Sequence, residues 1–457
     1  MLSQEKKYSR KRILRRIADA SLFGHLGMFV GTGFSMALTD GVAPNFEKLL
    51  RRAAEDLELE FDFDDPKAVR GLSYPQLATR LVAELTESKS NRAKAMRALK
   101  RKIASICNLM PDDLLRDQYV PVLAQLRPSW VITTNYDFIL ESLLERAVPL
   151  LPHEAVTPRR DYVPVYHLHG HRLVPESIVI TEDDYVELLG PMEYRQNKLS
   201  LLLTESTTLM LGYSGGDINV RSAMKLARAY AEDRDLELQR YQGLVVQALY
   251  VTDRAPRSEP YRGLNAEVII EISDILQFLE EVRDAKAARK AEFRKTRRII
   301  NKVLEDDDGA EKLVGDVALR KEFVKALRAF PRSYEAGRVV EFLRRALNPL
   351  WNRARQRGNW HYYNAFVDFL LDVLEGINLR KLHPILSEYL SESFSDIAWY
   401  LEPGKQPPSV KGKAWDATDT WRQRRSSLSS ESVDELKRYA RNNGNSAMAL
   451  LLNEIET

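Results

Sequence analysis

The sequence predicts an α/β fold: a parallel, doubly wound sheet with an inserted helical layer, followed by an all-α C-terminal domain. Short apolar segments typical of buried strands alternate with longer segments of helical period up to residue 272. A helical stretch from Pro44 to Leu126 separates the first two strands and predicts the inserted layer. After residue 273 only the helical period continues, which predicts the all-α domain.

The composition is typical of a soluble globular protein. Of the 457 residues, 44% are hydrophobic and 29% are charged, which suits roughly two or three domains. The formal net charge of +3 does not indicate binding to nucleic acid, and no apolar run is long enough to cross a membrane. The N-terminus has no apolar signal segment and Cys107 is the single cysteine, so we expect a cytoplasmic protein without disulfides or zinc.

We expect two domains, residues 1–290 with the sheet and residues 291–457 with helices alone. A long charged helix, predicted from an N-cap at Ser273 to about Leu304, begins in the first and ends in the second. In the second domain, apolar residues recur at helical spacing and predict packed core helices. They are Val339, Val340, Leu343, Leu347 and Leu350 in one stripe and Tyr363, Phe366, Phe369, Leu370, Val373 and Leu374 in another.

The first predicted strand, at about residues 27–31, ends in Gly31-Thr32-Gly33, and Ser35 follows closely. Glycine allows the backbone to approach a pyrophosphate and to adopt positive φ. The third glycine of the dinucleotide fingerprint is missing, so an ordinary strand-to-loop turn explains this pattern as well.

Polar residues also follow the predicted strand Trp130–Thr133. Asn135 can both donate and accept hydrogen bonds, so it can position a ribose hydroxyl or an attacking water. Asp137 suits an Asx turn or the N-cap of a helix predicted over residues 138–146.

Three histidines alternate in His167-Leu168-His169-Gly170-His171, after a predicted strand. If the strand continues, they point to one face of the sheet. One interpretation is a metal site built on a His-x-His pair, another is a single catalytic histidine, and the third is a structural histidine pair. The other four histidines are scattered along the chain, so we expect no metal.

Gly212, Ser214 and Asp217 follow the predicted strand Leu209–Leu211. Backbone amides of such a loop can face a phosphate or a ribose. Asp217 can accept from ribose hydroxyls or cap the next helix, and both roles stay open. Because parallel strands end at the same edge of a sheet, several of these residues should meet there. They are Gly31, Asn135, His169 and Gly212.

Five motifs occur in a fixed order and together resemble the SIR2-like domain, in the branch typical of bacterial anti-phage defence proteins. The motifs are Gly31–Ser35 (GTGFS), Thr133–Asp137 (TTNYD), Leu168–Gly170 (LHG), Ile180–Tyr185 (ITEDDY) and Gly212–Asp217 (GYSGGD). The resemblance covers roughly residues 15–285. It implies a Rossmann-like sheet that binds NAD, similar to the fold of sirtuins.

The resemblance also implies a reaction: hydrolysis of NAD+ to nicotinamide and ADP-ribose, which depletes NAD+ in an infected cell. By this resemblance Asn135 and His169 are catalytic; Asn135 positions water and the nicotinamide ribose, and His169 acts as the general base or ribose-hydroxyl partner. The residues implied to bind the dinucleotide are Gly31, Thr32, Gly33, Ser35, Thr134, Asp137, Gly212, Ser214 and Asp217.

Two departures from the family pattern stand out. Gly31-Thr32-Gly33 replaces the usual Gly-Ala-Gly, and Cys107 alone cannot form the zinc ribbon of sirtuins that deacylate proteins. Two alternatives to hydrolysis of NAD+ remain: a non-catalytic NAD or ADP-ribose sensor, and a metal-dependent hydrolase built on His167 and His169. An unregulated NADase would kill its host, so the family resemblance implies a gate, and we expect a homo-oligomer or a defence partner acting through the C-terminal helical domain.

Overall fold

The computed structural model describes residues 9–455 apart from 66–68, 70, 90, 155–161, 189–193, 233–242, 265–266, 330–331, 357–358, 376 and 402–414. The chain divides into two compact units, Met1–Arg289 and Lys290–Thr457.

The first unit contains one eight-stranded sheet. Its strands are β1 Leu26–Val30, β2 Trp130–Thr133, β3 Ala147–Leu150, β4 Val163–His167, β5 Thr207–Leu211, β6 Val245–Tyr250, β7 Tyr261–Arg262 and β8 Val268–Ile272. The order across the sheet is β3-β4-β2-β1-β5-β6-β8-β7. All neighbours are parallel except β7 and β8, so the predicted α/β class with a parallel sheet is confirmed.

The central strands β1, β2 and β5 are buried along their whole length. This burial explains their continuous apolar character, because parallel sheets are covered on both faces. The two edge strands were not predicted: β3 is only half-buried and contains Pro149, and β7 has two residues. Such short edge strands carry little periodic signal.

Two local predictions were wrong. The helix expected over 138–146 is limited to Ile139–Leu143, because the chain turns there to enter β3. The second concerns Ile178–Thr181, a short apolar run whose sequence predicts a strand; these residues pair with no strand of the described sheet. Ile178 and Ile180 are instead buried against the inserted helices, which explains why the run is apolar.

Helices of the first unit flank the sheet and fill the interval between β1 and β2. They are α1 Arg10–Phe23, α2 Thr32–Leu38, α3 Phe46–Asp56, α4 Tyr74–Lys89, α5 Arg92–Ile106, α6 Asp113–Leu126, α7 Ile139–Leu143, α8 Glu182–Leu188, α9 Tyr194–Glu205 and α10 Ile218–Glu232. Helices α3, α4 and α5 enclose a hydrophobic core of their own, with Leu50, Leu81 and Leu99 fully buried or nearly so. The predicted inserted layer is therefore present.

Helix α11, Ile275–Leu304, is the long charged helix expected from the sequence. Its cap differs from the prediction: Asp274, not Ser273, accepts a hydrogen bond from the backbone N–H of Gln277, at 2.6 Å. The positive end of the helix dipole also stabilises a carboxylate at this position.

The second unit is helical throughout its described residues. Its helices after α11 are α12 Gly309–Gly315, α13 Val317–Ala329, α14 Arg332–Ala354, α15 Trp360–Glu375, α16 Pro384–Leu401, α17 Trp415–Arg424, α18 Ser430–Asn442 and α19 Ser446–Asn453. Both predicted apolar stripes, which lie on α14 and α15, belong to one hydrophobic core. Across the described part of the chain, no helix combines the length and the apolar character needed to span a membrane.

Candidate functional site

Four neighbouring strands bring the predicted residues to one edge of the sheet. In register, Val30 at the end of β1 lies beside Thr133 of β2 and Leu211 of β5, and Thr133 lies beside His167 of β4. The chain passes from β1 to strands on one side and then returns to β5 on the other, so strand order reverses at β1. Open α/β sheets bind ligands at such a reversal.

The glycines at this edge pack against one another. The N–H of Gly31 donates to the carbonyl of Leu211, and the N–H of Gly33 donates to the carbonyl of Gly212, each at 2.9 Å. Gly212 has a φ of +61°, and a Cβ atom there would lie 2.1 Å from the backbone nitrogen of Phe34. Close backbone packing therefore requires glycine at Gly212 whether or not a phosphate binds.

Four of the predicted site residues share one hydrogen-bond network. The Nδ2 of Asn135 donates to the hydroxyl of Ser35, which donates to Oδ2 of Asp137, both at 2.9 Å. The hydroxyl of Thr32 donates to Oδ1 of Asn135 at 3.3 Å. These bonds fix which end of the Asn135 amide points to which neighbour, and leave one further donor and one further acceptor site on it.

Asp137 is directed into the protein. Its Oδ1 accepts a hydrogen bond from the N–H of Ile139 at 3.1 Å, which forms an Asx turn just before the short helix α7. Burial raises the pKa of this carboxyl above its usual value. Of the two interpretations offered for Asp137, the Asx turn describes its contacts, and Phe138 occupies the N-cap position.

His169 is almost completely buried beside Asp217. Its Nε2 lies 3.3 Å from Oδ2 of Asp217, without the alignment of a hydrogen bond, and its ring packs edge-on against Tyr185 with centroids 5.3 Å apart. Burial lowers the pKa of His169, and Asp217 opposes that shift in part. The imidazole is therefore neutral near pH 7, the form that can accept a proton.

Asp217 caps a helix, which is one of the two roles suggested for it, and its other carboxylate oxygen faces His169. Its Oδ1 accepts from the N–H of Asn219 at 2.8 Å, which caps α10, while Oδ2 faces His169. The loop that carries it is anchored by Gln247, whose Nε2 donates to the carbonyl of Tyr213 at 2.9 Å.

Two predicted residues stand apart from these contacts. Thr134 is half-buried, and Ser214 is exposed on the loop after β5. Neither takes part in the hydrogen bonds described above. The structure therefore brings together Thr32, Ser35, Asn135 and Asp137 on one side and His169 and Asp217 on the other.

His167 and His171 differ from His169 in their surroundings. His167 is fully buried, with Nδ1 3.0 Å from the carbonyl oxygen of Asn135 and Nε2 2.8 Å from Oε1 of Glu141. The ring of His171 packs against that of His167, with centroids 5.2 Å apart. Since both nitrogens of His167 are engaged, the arrangement does not favour it as a metal ligand, and the described residues contain no group of three or more His, Cys, Asp or Glu suited to a metal ion.

Sequence reasoning missed three residues of this edge. Thr133 donates to the carbonyl of Val30 and accepts from the N–H of Asn135; Glu141 contacts His167; Tyr185 contacts His169. Thr133 could have been found from the sequence, because it ends the predicted strand two residues before Asn135, whereas no pattern pointed to Glu141. Tyr185 lies in the ITEDDY motif, but no pattern indicated its neighbour.

Several buried polar atoms near His169 have no hydrogen-bond partner among the described residues. Asn219 is fully buried and both atoms of its amide are unpaired, as are Nε2 of His169 and Oε1 of Gln196. Gln196 contacts Asn219 through its other amide atom, which donates to the Asn219 carbonyl at 2.8 Å. Buried unpaired polar groups are uncommon and call for an explanation. Such atoms can be satisfied by ordered water or by a bound polar group.

Comparison with known proteins agrees with the motifs. The family profile of the SIR2-like domain matches residues 129–264, a range that contains Asn135, His169, Gly212 and Asp217. The NAD(+) hydrolase ThsA of Acinetobacter baumannii (strain 532279) is 29% identical over 119 residues, which cover 24% of this chain and 24% of that protein. The match thus spans about a quarter of this relative's length. Residues 129–264 of this chain are thus similar to the SIR2-like domain, in agreement with the resemblance that the motifs indicated.

Proposed function

We propose that the protein is an NAD+ glycohydrolase that cleaves the nicotinamide–ribose bond and releases nicotinamide and ADP-ribose. The observation that carries this proposal is the pair Asn135 and His169, an oriented amide and a neutral buried imidazole, at the ends of adjacent strands within the SIR2-like region. The similarity of part of the chain to a protein named as an NAD(+) hydrolase supports it.

The chemistry requires few groups. The bond between the ribose C1′ and the ring nitrogen breaks, its electron pair goes to nicotinamide, and an oxocarbenium-like ribose remains. Water then attacks C1′ and loses a proton. In our proposal Asn135 orients the water and the nicotinamide ribose, and His169 accepts the proton from the water or through a ribose hydroxyl.

The dinucleotide would lie along the edge formed by the segments that follow β1, β2 and β5. We assign the pyrophosphate and neighbouring ribose to Gly31, Thr32, Gly33 and Ser35, with Thr134 at the same edge. Asp137 would support this part of the site from inside the protein, through the hydrogen bond that it accepts from Ser35. The adenosine side is assigned to Gly212, Ser214 and Asp217. The unpaired amide of Asn219, adjacent to Asp217, supports a polar ligand on that side.

Nicotinamide release from NAD+ tests the proposal, with the wild type compared with Asn135→Ala and His169→Ala. We expect each variant to lose at least about 100-fold in rate, because each removes a group that acts on the reacting atoms. His153→Ala is a matched control, since His153 is exposed elsewhere in the same unit. Undiminished release in both site variants would refute the assignment, and NAD+ binding without any release by the wild type would favour a sensor.

We further propose that the enzyme is a cytoplasmic anti-phage effector, held inactive until the infected cell triggers it. The helical region 291–457 would act as the regulatory part, through a homo-oligomer or a defence partner. Release measured over a range of protein concentrations tests this proposal. A specific rate that rises with concentration supports assembly as the switch; a constant rate at full activity argues against an oligomeric gate.

A further inference from the structure

We propose that His167 and Glu141 are positioning residues for Asn135: Glu141 holds the His167 ring, and the ring holds the peptide carbonyl of Asn135. This inference rests on the proposed function for its kinetic consequence. It gives a role to two residues that neither the motifs nor the reaction chemistry assigns.

The first contact fixes one proton on the ring. The Nδ1 of His167 lies 3.0 Å from the carbonyl oxygen of Asn135. A carbonyl oxygen can only accept a hydrogen bond, so Nδ1 carries hydrogen and donates. His167 is fully buried, and water therefore does not compete for this bond.

The second contact places another proton between Nε2 of His167 and Glu141. The Nε2 of His167 lies 2.8 Å from Oε1 of Glu141, and the Glu141 side chain is 13% exposed. Because Nδ1 already donates, either Nε2–H donates to a carboxylate or a protonated Glu141 donates to Nε2. In both cases the pair is neutral overall and shares one proton, which suits its burial.

Together with Thr133, the His167–Glu141 pair holds the peptide groups of Asn135 in place. The N–H of Asn135 donates to the hydroxyl of Thr133 at 3.0 Å, and its carbonyl accepts from His167. Both polar atoms of the Asn135 main chain are thus held by side chains from β2 and β4. A displacement of about 1 Å at a catalytic group can cost roughly 100-fold in rate, so this fixation has a measurable consequence.

The aromatic neighbours explain why the ring cannot rotate away. The rings of Phe138 and His171 pack against His167, with centroids 5.5 Å and 5.2 Å away. Burial and the proximity of His167 both lower the pKa of His171. His171 is thus neutral near pH 7 and places no second positive charge beside the pair.

The kinetic experiment compares two replacements of His167. Asn places an N–H close to the position of Nδ1 and can still donate to Asn135, whereas Leu cannot. We expect His167→Leu to lower kcat about 100-fold with KM changed less than about threefold, and His167→Asn to recover at least about tenfold of that loss. His171→Leu is the control for ring packing, and we expect its kcat within about threefold of the wild type.

A loss of kcat that is equal in His167→Leu and His167→Asn would overturn the proposal, because packing alone would then explain it. A loss confined to KM would overturn it as well. Thermal unfolding of all three variants checks that each is folded at the assay temperature.

Ring nitrogen NMR of the wild type separates this inference from the proposed function. We expect the Nδ1 of His167 to be protonated near pH 7, and that signal to change in Glu141→Ala. An unprotonated Nδ1 would overturn the positioning role even in an active enzyme. A protonated Nδ1 in a protein that releases no nicotinamide would instead refute the hydrolase while supporting the contact with Asn135.

Discussion

The Asn135 half of the candidate site and its His169 half differ in how their polar atoms are satisfied. The Asn135 half consists of Thr32, Ser35, Asn135 and Asp137, and the His169 half consists of His169, Tyr185, Asp217 and Asn219. Every polar atom of Asn135, in main chain and side chain, has a partner in the protein. In contrast, Nε2 of His169 and both amide atoms of Asn219 have none among the described residues.

The difference suggests distinct roles for the two halves in the proposed enzyme, orientation for the Asn135 half and ligand binding for the His169 half. The Asn135 half is oriented before any ligand arrives, which is the arrangement that favours electrostatic stabilisation of a transition state. The His169 half has unpaired groups that each cost about 1–3 kcal/mol of folding free energy. New hydrogen bonds to a ligand can therefore gain more on the His169 half than on the Asn135 half.

The largest expected effect concerns the contact between Gly212 and the first residues of α2. We expect Gly212→Ala to lower the free energy of unfolding of the first unit by more than about 3 kcal/mol, since the added Cβ meets backbone as well as adopting positive φ. Gly215→Ala is the matched control: its φ is +82°, but nothing lies within 4 Å of the added atom. We expect it to cost about 1–2 kcal/mol. Equal losses in denaturant titrations would contradict the packing argument.

A smaller effect concerns the support of Tyr185 in the His169 half. The Nζ of Lys100 lies 2.8 Å from Oδ1 of Asp184, and the side chains are only 9% and 18% exposed. We expect Lys100→Met to cost about 3 kcal/mol, because it leaves a buried carboxylate without its cation. The control is Arg92→Ala. It removes an exposed ion pair to Asp183, which lies on the same helix as Asp184, and it should cost less than about 1 kcal/mol. If the two losses measured by denaturant unfolding were alike, burial would not be the deciding factor.

The pH dependence of nicotinamide release should sharpen the description of the His169 half. Because burial lowers the pKa of His169 below 6.5, the neutral form persists below that pH, and the acid limb of the rate profile should lie below pH 6.5. Asp217 raises that pKa, so Asp217→Asn should move the limb to still lower pH, while its Oδ1 can still cap α10. An acid limb above pH 6.5, or one that rises in Asp217→Asn, would contradict this assignment.

The same shift predicts a dependence of stability on pH. In the window between the lowered pKa of His169 and 6.5, the unfolded chain binds more protons than the folded one. Stability should therefore rise with pH across this window and be lost as the pH falls below 6.5. Denaturant midpoints measured from pH 5 to pH 7.5 in the wild type and in His169→Gln report the contribution of this group, and an unchanged slope in the variant would argue against it.

The smallest expected effect tests the Asn135 half. Thr32→Ala restores the usual Gly-Ala-Gly and removes one bond of 3.3 Å to the Asn135 side chain. Since three other bonds hold Asn135, and a neutral hydrogen bond contributes about 1 kcal/mol, we expect kcat to fall less than about tenfold. A loss as large as that of Asn135→Ala would show that the network depends on Thr32.

Much of the fold and part of the site could be predicted from the sequence. Buried strands of a parallel sheet are largely apolar, so β1, β2 and β5 could be recognised in the sequence. Because parallel strands end at the same edge of a sheet, Gly31, Asn135 and His169 could be predicted to meet there. The roles of these residues and of the two domains stay predictions.

What could not be predicted depends on contacts between distant segments. Glu141 and His167 are 26 residues apart, and only the packing of α7 against the end of β4 brings them together. The need for glycine at Gly212 arises from the backbone of Phe34, which lies in α2, far away in the sequence. Ile178 and Ile180 have the composition of a strand but are buried by the inserted helices instead.

The packing of the start of α2 against the loop after β5 has a consequence for protein synthesis. The Gly31–Ser35 segment is made early, but the carbonyls that it hydrogen-bonds belong to Leu211 and Gly212, which leave the ribosome about 180 residues later. Asp217, which faces His169, follows after them. A nascent or truncated chain that stops before β5 therefore lacks a complete edge, so copies of the proposed enzyme that end before β5 should not hydrolyse NAD+.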